Sequence, residues 1–188
     1  MPLQPDAEKF SAAVHEIGHA SMLPEDFEPH VSFMNPCQLC LDGEGEADSL
    51  AHVGHNSDRA LDPIEEIVYS LSGGAAEIAC GLNPVQLQFP YGGFPQSMGT
   101  DLSNLEAEME AMGVPWDVLG PALPSAFELI CQSFQPHRDR LVSLAGRLLS
   151  EGELQAINSP LTLLNRQQVL DRLTEQLKIN QDRQDKPG

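Results

Sequence analysis

The chain has 188 residues, enough for one domain with a real hydrophobic core, and 41% of them are hydrophobic. Its 28 acidic against 10 basic residues give a formal net charge of −18, which argues against nucleic acid and anionic lipid as partners. Aromatic residues are scarce at 5%, and Ala, Leu, Glu and Gln dominate the second half. This composition predicts a mainly α protein.

Neither a membrane helix nor a secretory leader is expected. No stretch approaches the roughly 20 apolar residues of a spanning helix, and the first residues lack the basic-then-apolar order of a signal peptide. We therefore expect a cytosolic protein with no membrane partner. Four cysteines do not make a disulfide framework, so they are expected as thiols or metal ligands, and Cys80 and Cys131, on apolar helix faces, as core residues.

The first predicted element is a helix over residues 7–22, with Asp6 as its N-cap and apolar residues at spacings of four and three. Within it, His15 and His19 lie one turn apart on the same face, at the separation that a single zinc ion needs. Glu16 between them reaches the water beside such a metal. The alternative is a pair of helix-surface histidines, one of them sharing a carboxylate.

Two short strands are predicted next, at His30–Met34 and Ser49–Val53, because polar and apolar residues alternate in both. They favour a small hairpin or a three-stranded sheet. Between and around them lies an inserted loop, residues 36–56, with a spacing near that of a structural zinc site. Its possible ligands are Cys37, Cys40, His52 and His55. The alternative is unpaired thiols on an acidic loop.

A second helix is predicted over residues 62–81, with Pro63 at its first position. Gly73 and Gly74 in its middle each cost about 1 kcal/mol relative to alanine, so we expect a neighbour to approach the backbone closely there. The alternative is ordinary tight helix packing.

Prolines and glycines over residues 83–99 predict a segment without regular structure. A third helix is expected from Asp101 to about Met112, with Thr100 as its cap. The remaining predicted segments are an amphipathic helical stretch from Pro124 to Leu154 that breaks or kinks at Pro136, a last helix from about Arg166 to Ile179, and a disordered tail over 180–188.

A catalytic zinc takes three protein ligands and leaves a fourth position to water, so two histidines need a third partner. The sequence offers two carboxylates. Asp101 lies at a helix start, where negative charge is favoured, and Glu77 lies near the paired glycines, where it can serve as a ligand or hold one in place.

Four segments, in order along the chain, resemble the FtsH-type zinc proteases. His-Glu-Ile-Gly-His-Ala at 15–20 is similar to that family's His-Glu-Ala-Gly-His-Ala motif, and Leu-Ser-Gly-Gly-Ala-Ala-Glu-Ile at 71–78 to its Gly-Gly-Arg-x-Ala-Glu helix. Residues 97–102 resemble its Ser-x-Gly-Ala-x-x-Asp-Leu segment, and residues 144–149 resemble its Leu-Ala-x-x-Leu-Leu helix.

The resemblance implies a single helical zinc-peptidase domain over residues 1–179, with a small sheet and a C-terminal helical bundle. It implies Zn²⁺ bound by His15, His19 and Asp101. It also implies that Glu16 moves the protons during peptide-bond hydrolysis. Glu77 then remains a possible supporting residue.

The sequence departs from this family at three points. The arginine after the paired glycines is absent, and Asp101 lies two residues closer to the preceding glycine than the aspartate of the family segment does. The ATPase module and the membrane anchor have no counterpart. We therefore expect an ATP-independent endopeptidase for peptides or unfolded chains, with an edge strand near His30–Asn35 that receives the substrate. The alternative is a noncatalytic zinc domain that binds peptides or a partner protease. The oligomeric state, a homo-oligomer included, stays open.

Overall fold

The computed structural model describes residues 5–33, 51–82, 86–89, 92–155 and 163–184. Over these residues the protein is mainly helical with a small antiparallel sheet, as predicted. The helices are α1 Pro5–Met22, α2 Pro63–Ala79, α3 Gly99–Ala111, α4 Trp116–Leu119, α5 Leu123–Phe134, α6 Arg138–Glu151 and α7 Leu163–Gln184. The strands are β1 His30–Phe33, β2 Ala51–Gly54, β3 Gln86–Phe89, β4 Gly92–Pro95 and β5 Glu153–Gln155.

Helices α1 and α2 cross closely at the centre of the molecule because small residues meet there. A Cβ atom on Gly18 of α1 would lie 2.5 Å from the carbonyl oxygen of Ser72 and 2.7 Å from Cβ of Ala76, both on α2. Apolar side chains of both helices surround the crossing and are almost fully buried, among them Val14, Ile17, Ile67, Val68 and Leu71. Burial of one such side chain contributes about 1.5–3 kcal/mol, so this crossing is the core of the fold.

Helix boundaries follow the predictions to within a few residues. Helix α1 ends at Met22 as expected but begins at Pro5, so Asp6 lies inside the helix and is not its N-cap. Helix α2 begins at Pro63 with a capping box, in which the Asp62 carboxylate accepts the backbone N–H groups of Ile64 and Glu65, both at 2.9 Å. The sequence therefore defines where α2 starts.

The three-stranded sheet has the order β2-β1-β5, with both neighbours antiparallel to β1. Val31 lies opposite Val53 on one side and opposite Leu154 on the other. The expectation that the strand near His30–Asn35 is an edge is wrong, because its described part, β1, is the central strand.

The predicted helical stretch from Pro124 to Leu154 is two helices, and its break at Pro136 is confirmed. A 3₁₀ turn, Gln135–His137, separates α5 from α6. The end of the stretch was predicted wrongly, because α6 stops at Glu151 and the chain continues as β5. Gly152 makes this possible with a φ of 80°, a left-handed conformation that favours glycine.

The segment predicted to lack regular structure contains a hairpin in which β3 pairs antiparallel with β4. The prediction is wrong here because glycine and proline lower strand propensity without preventing a short hairpin. Phe94 anchors the hairpin: it is buried and meets Phe127 edge to face, with ring centroids 5.4 Å apart. The chain then passes through the 3₁₀ turn Gln96–Met98 directly into α3, which begins at Gly99, so Thr100 lies inside the helix.

The last helix is longer than predicted. Helix α7 runs to Gln184, so residues 180–184 of the predicted disordered tail are helical, and 185–188 lie outside the described residues. Arg166 fixes its beginning by donating hydrogen bonds to the carbonyl oxygen of Met22 at 2.9 Å and to Glu65 at 2.7 Å. None of the helices that the structure describes has the length and apolar composition needed to cross a membrane.

Candidate metal centre

Helix α1 turns its two motif histidines into the protein. His15 is 7% exposed and His19 3% exposed, so both rings are buried as predicted for the motif. The two residues lie one turn apart on the buried face of α1, which brings both Nε2 atoms to the α1–α2 crossing. Buried imidazole nitrogens need hydrogen-bond partners, and three of the four ring nitrogens have them.

Asp101, in the first turn of α3, completes a cluster with the two histidines. Its Oδ2 atom lies 3.1 Å from Nε2 of His15 and 3.5 Å from Nε2 of His19, and the two Nε2 atoms are 3.0 Å apart. The hairpin β3–β4 and the following 3₁₀ turn bring Asp101 to this place from 86 residues away in sequence.

The spacing of these three atoms fits a tetrahedral zinc ion. With zinc–nitrogen and zinc–oxygen distances of about 2.0–2.2 Å, the ligand atoms of a tetrahedral site lie about 3.3–3.5 Å from one another. The observed separations of 3.0, 3.1 and 3.5 Å need only a slight expansion to reach these values. Two imidazoles and one carboxylate form a donor set that suits zinc and leaves one position for water or substrate.

The outer nitrogens of both rings are also arranged as in a metal site. Nδ1 of His19 donates to the backbone carbonyl of Tyr69 at 2.7 Å, which leaves a lone pair on Nε2 of the neutral ring. Nδ1 of His15 is buried without a hydrogen-bond partner and faces Oε1 of Glu77 at 3.7 Å. A slight rotation of His15 toward a metal ligand position would let Nδ1–H donate to Glu77, an arrangement common around bound zinc.

Glu77 lies behind His15 and outside the cluster of possible ligands. It is 2% exposed, and its two carboxylate oxygens accept hydrogen bonds from Ser11 Oγ at 3.0 Å and Ser97 Oγ at 2.6 Å. These two bonds fix the carboxylate in place. The geometry favours the predicted supporting position for Glu77 and the ligand position for Asp101.

The two glycines of α2 make room for the site, as the sequence predicted for a close approach. A Cβ on Gly73 would lie 2.5 Å from Nε2 of His15 and 2.6 Å from Nε2 of His19. A Cβ on Gly74 would overlap Met98, the residue just before α3. The paired glycines therefore let both rings lie over α2 and let α3 approach with Asp101.

The charges at the centre are strongly coupled. Burial lowers the pKa of His15, but the hydrogen bond with Asp101 and the negative charge of Glu77 outweigh it and raise the pKa to about 10. Burial raises the pKa of Asp101, but the neighbouring rings of His15 and His19 hold it well below its usual range. Asp101 therefore gives the site the negative charge to hold a cation.

Glu16 is half-buried beside this cluster. Burial raises the pKa of its carboxyl group, while the nearby charges of His19 and His15 lower it. Strand β2 packs against α1, so the described part of the sheet lies beside the helix that carries Glu16.

Sequence reasoning missed three residues that surround the ligands: Ser11, Tyr69 and Ser97. Ser11 stands one helical turn before His15, and Tyr69 one turn before Gly73, so the spacing of four residues was an available signal. The ring of Tyr69 also packs against the ring of His19, with centroids 4.8 Å apart.

The proposed structural zinc of the inserted loop stays a prediction. Cys37 and Cys40 lie outside the described residues, whereas His52 and His55 are exposed and the ring of His55 packs against Phe27 with centroids 4.8 Å apart. The two other cysteines pack in the apolar interior as expected, Cys80 buried and Cys131 half-buried.

Comparison with known proteins adds no assignment: no protein-family model matches this sequence, and no curated protein matches it. The function is therefore argued from the centre itself.

Proposed function

We propose that the protein is a zinc-dependent endopeptidase that cleaves peptides or unfolded chains without ATP. The observation that carries the proposal is the meeting of the His15, His19 and Asp101 donor atoms at tetrahedral spacing, with a glutamate in the same helix turn. A structural zinc site would use four protein ligands, whereas the cluster among the described residues has three.

The residues divide the work of hydrolysis. Zinc bound at this centre would supply Lewis-acid activation of water and of the peptide carbonyl. Glu16 takes a proton from the water as the water oxygen bonds to the carbonyl carbon, and it gives that proton to the amide nitrogen as the C–N bond breaks. Glu77, held by Ser11 and Ser97, orients His15 through its Nδ1 atom.

An edge of the sheet supports binding of an extended substrate, although not the edge that the sequence suggested. Strand β2 packs against α1 and, within the described residues, has a strand partner on one side only. Because α1 carries His15, Glu16 and His19, this strand lies beside the helix of the reacting groups. A peptide added to β2 would pass the site with its main chain extended.

The chemistry of the chain limits the substrates. The formal net charge of −18 repels acidic peptides, and the sequence holds no Gly-x-x-x-x-Gly-Lys-Ser/Thr phosphate loop for coupling to ATP. Hydrolysis of an unfolded protein without net negative charge should therefore be the same with and without ATP. A several-fold stimulation by ATP would contradict this part of the proposal.

The proposal is tested by Glu16→Gln, measured with metal analysis and with hydrolysis of an unfolded protein that has no net negative charge. The variant should hold wild-type zinc and lose hydrolysis, because Glu16 moves protons and does not coordinate. Glu8→Gln is the matched control, since Glu8 is an exposed glutamate of the same helix, and it should keep both properties. Full activity in Glu16→Gln would overturn the mechanism, and zinc binding without any wild-type hydrolysis would favour the noncatalytic alternative.

A further inference from the structure

A stripe of residues along α2 faces the candidate metal centre, and one of them has no role in the proposed function. Gly73 lies under both histidine rings, and Glu77, one turn later, faces Nδ1 of His15. One turn before Gly73, the ring of Tyr69 lies against the ring of His19, tilted by 37°. Its phenol is a hydrogen-bond donor on the same face of α2.

We infer that Tyr69 is a further catalytic residue, whose phenol O–H donates a hydrogen bond to the carbonyl oxygen of the scissile bond as that oxygen gains negative charge. The inference rests on the proposed function and adds the residue that stabilises its transition state. Donors placed where charge develops are among the largest contributors to catalysis.

The position of Tyr69 is fixed from two directions, as such a donor requires. Its backbone carbonyl accepts the Nδ1–H of His19 at 2.7 Å, and its ring packs on the same imidazole. These two contacts therefore hold the side chain of Tyr69 in a fixed position relative to the imidazole of His19. Tyr69 is half-buried, so part of its side chain stays accessible to a substrate.

The surroundings keep the phenol as a donor. Burial is the main reason that the pKa of Tyr69 is raised, and the negative charges of Glu16, Asp101 and Glu66 raise it further. A tyrosine is neutral near pH 7 even at its ordinary pKa of about 10, so the donor role does not depend on the shift.

The variant Tyr69→Phe isolates the hydroxyl, because it keeps the ring on His19 and the backbone carbonyl. We expect kcat for a peptide to fall about 100-fold with little change in KM and with wild-type zinc retention under a mild chelator. Ser72→Ala is the matched control, since it also removes one hydroxyl from α2, one that donates to the carbonyl oxygen of Val68 within the helix. The control should keep kcat and zinc.

A second measurement does not depend on turnover. A phosphinic peptide carries a tetrahedral, negatively charged group in place of the scissile amide, and calorimetry on zinc-loaded protein gives its affinity. Tyr69→Phe should bind it about 100-fold more weakly than the wild type, while the affinity for a cleaved product peptide stays unchanged.

The outcomes separate this inference from the function on which it rests. A wild type that holds no zinc or hydrolyses nothing overturns both. If the wild type is active and Tyr69→Phe has the same kcat and the same phosphinic-peptide affinity, the inference about Tyr69 is wrong and the proposed function stands. If Tyr69→Phe loses zinc, the role of Tyr69 is purely structural and the inference is wrong. If His52→Ala weakens phosphinic-peptide binding more than Tyr69→Phe does, the hydrogen-bond donor is His52 of β2 and the inference is also wrong.

Discussion

Gly73→Ala gives the sharpest test of the metal centre, because one methyl group would occupy the space of the two ligand rings. The added Cβ would lie 2.5 Å from Nε2 of His15 and 2.6 Å from Nε2 of His19, where ordinary contacts begin at 3.4 Å. Each ring must therefore withdraw by about 1 Å, several times the roughly 0.2 Å by which zinc–ligand distances vary. We expect zinc affinity to fall more than 100-fold, equivalent to about 2.7 kcal/mol or more.

The fold should survive this substitution. Alanine is favoured over glycine inside a helix by about 1 kcal/mol, and the clash is with side chains that can rotate when no metal holds them. The metal-free variant should therefore melt within a few degrees of the metal-free wild type. Competition with a chromophoric chelator gives the zinc affinity, and circular dichroism gives the melting temperature.

Gly146→Ala is the matched control for Gly73→Ala. Gly146 lies in α6, where an added Cβ would meet nothing within 4 Å. This variant should gain up to about 1 kcal/mol in stability from helix propensity and keep wild-type zinc affinity. Equal zinc affinity in Gly73→Ala and the wild type would refute the assignment of both histidines as ligands of one ion.

Three further results are expected. Asp101→Ala should lose zinc to a mild chelator, whereas Glu77→Ala should weaken zinc binding only about 10- to 100-fold. If Glu77→Ala loses zinc and Asp101→Ala keeps it, the third ligand is misassigned. Changing Cys37 and Cys40 to serine should leave the catalytic zinc in place. A fall from two zinc ions per chain to one in metal analysis would support a structural site in the inserted loop, whereas one ion in both proteins would rule that site out. Arg166→Met should cost about 2 kcal/mol, because two partly buried hydrogen bonds, one to a backbone carbonyl and one to a carboxylate, are lost, and it should lower the melting temperature by about 4–8 °C without releasing zinc. An unchanged melting temperature would contradict the anchoring role of this arginine.

The sequence best predicted those site residues that lie close to one another along the chain. His15, Glu16 and His19 share one helix turn, so their relation follows from helical geometry alone. Asp101 could be selected only by resemblance to a family, because 86 residues separate it from His15 and no local pattern encodes that contact. The two mid-helix glycines indicated a close approach, but the approaching groups, two imidazoles and a methionine, depend on tertiary packing.

The errors in the fold also come from distant contacts. The three residues of β5 carry a weak local signal, and they form a strand because β1 pairs with them. The same pairing turns β1 from an expected edge into the centre of the sheet. For β3–β4, the buried Phe94 holds a glycine- and proline-rich hairpin that local propensity disfavours.

The pairing of β1 with β5 also sets an order of events during synthesis. Strand β1 leaves the ribosome about 120 residues before β5, which at about 5–20 residues per second is a delay on the order of 10 s. During that interval β1 can pair only with β2 among the strands described beside it, and its other edge exposes unpaired backbone groups that invite association with other chains. The nascent protein therefore has a period of vulnerability to aggregation that the finished fold no longer shows, and a ribosome-bound holdase would be most useful to it between the synthesis of residues 33 and 153.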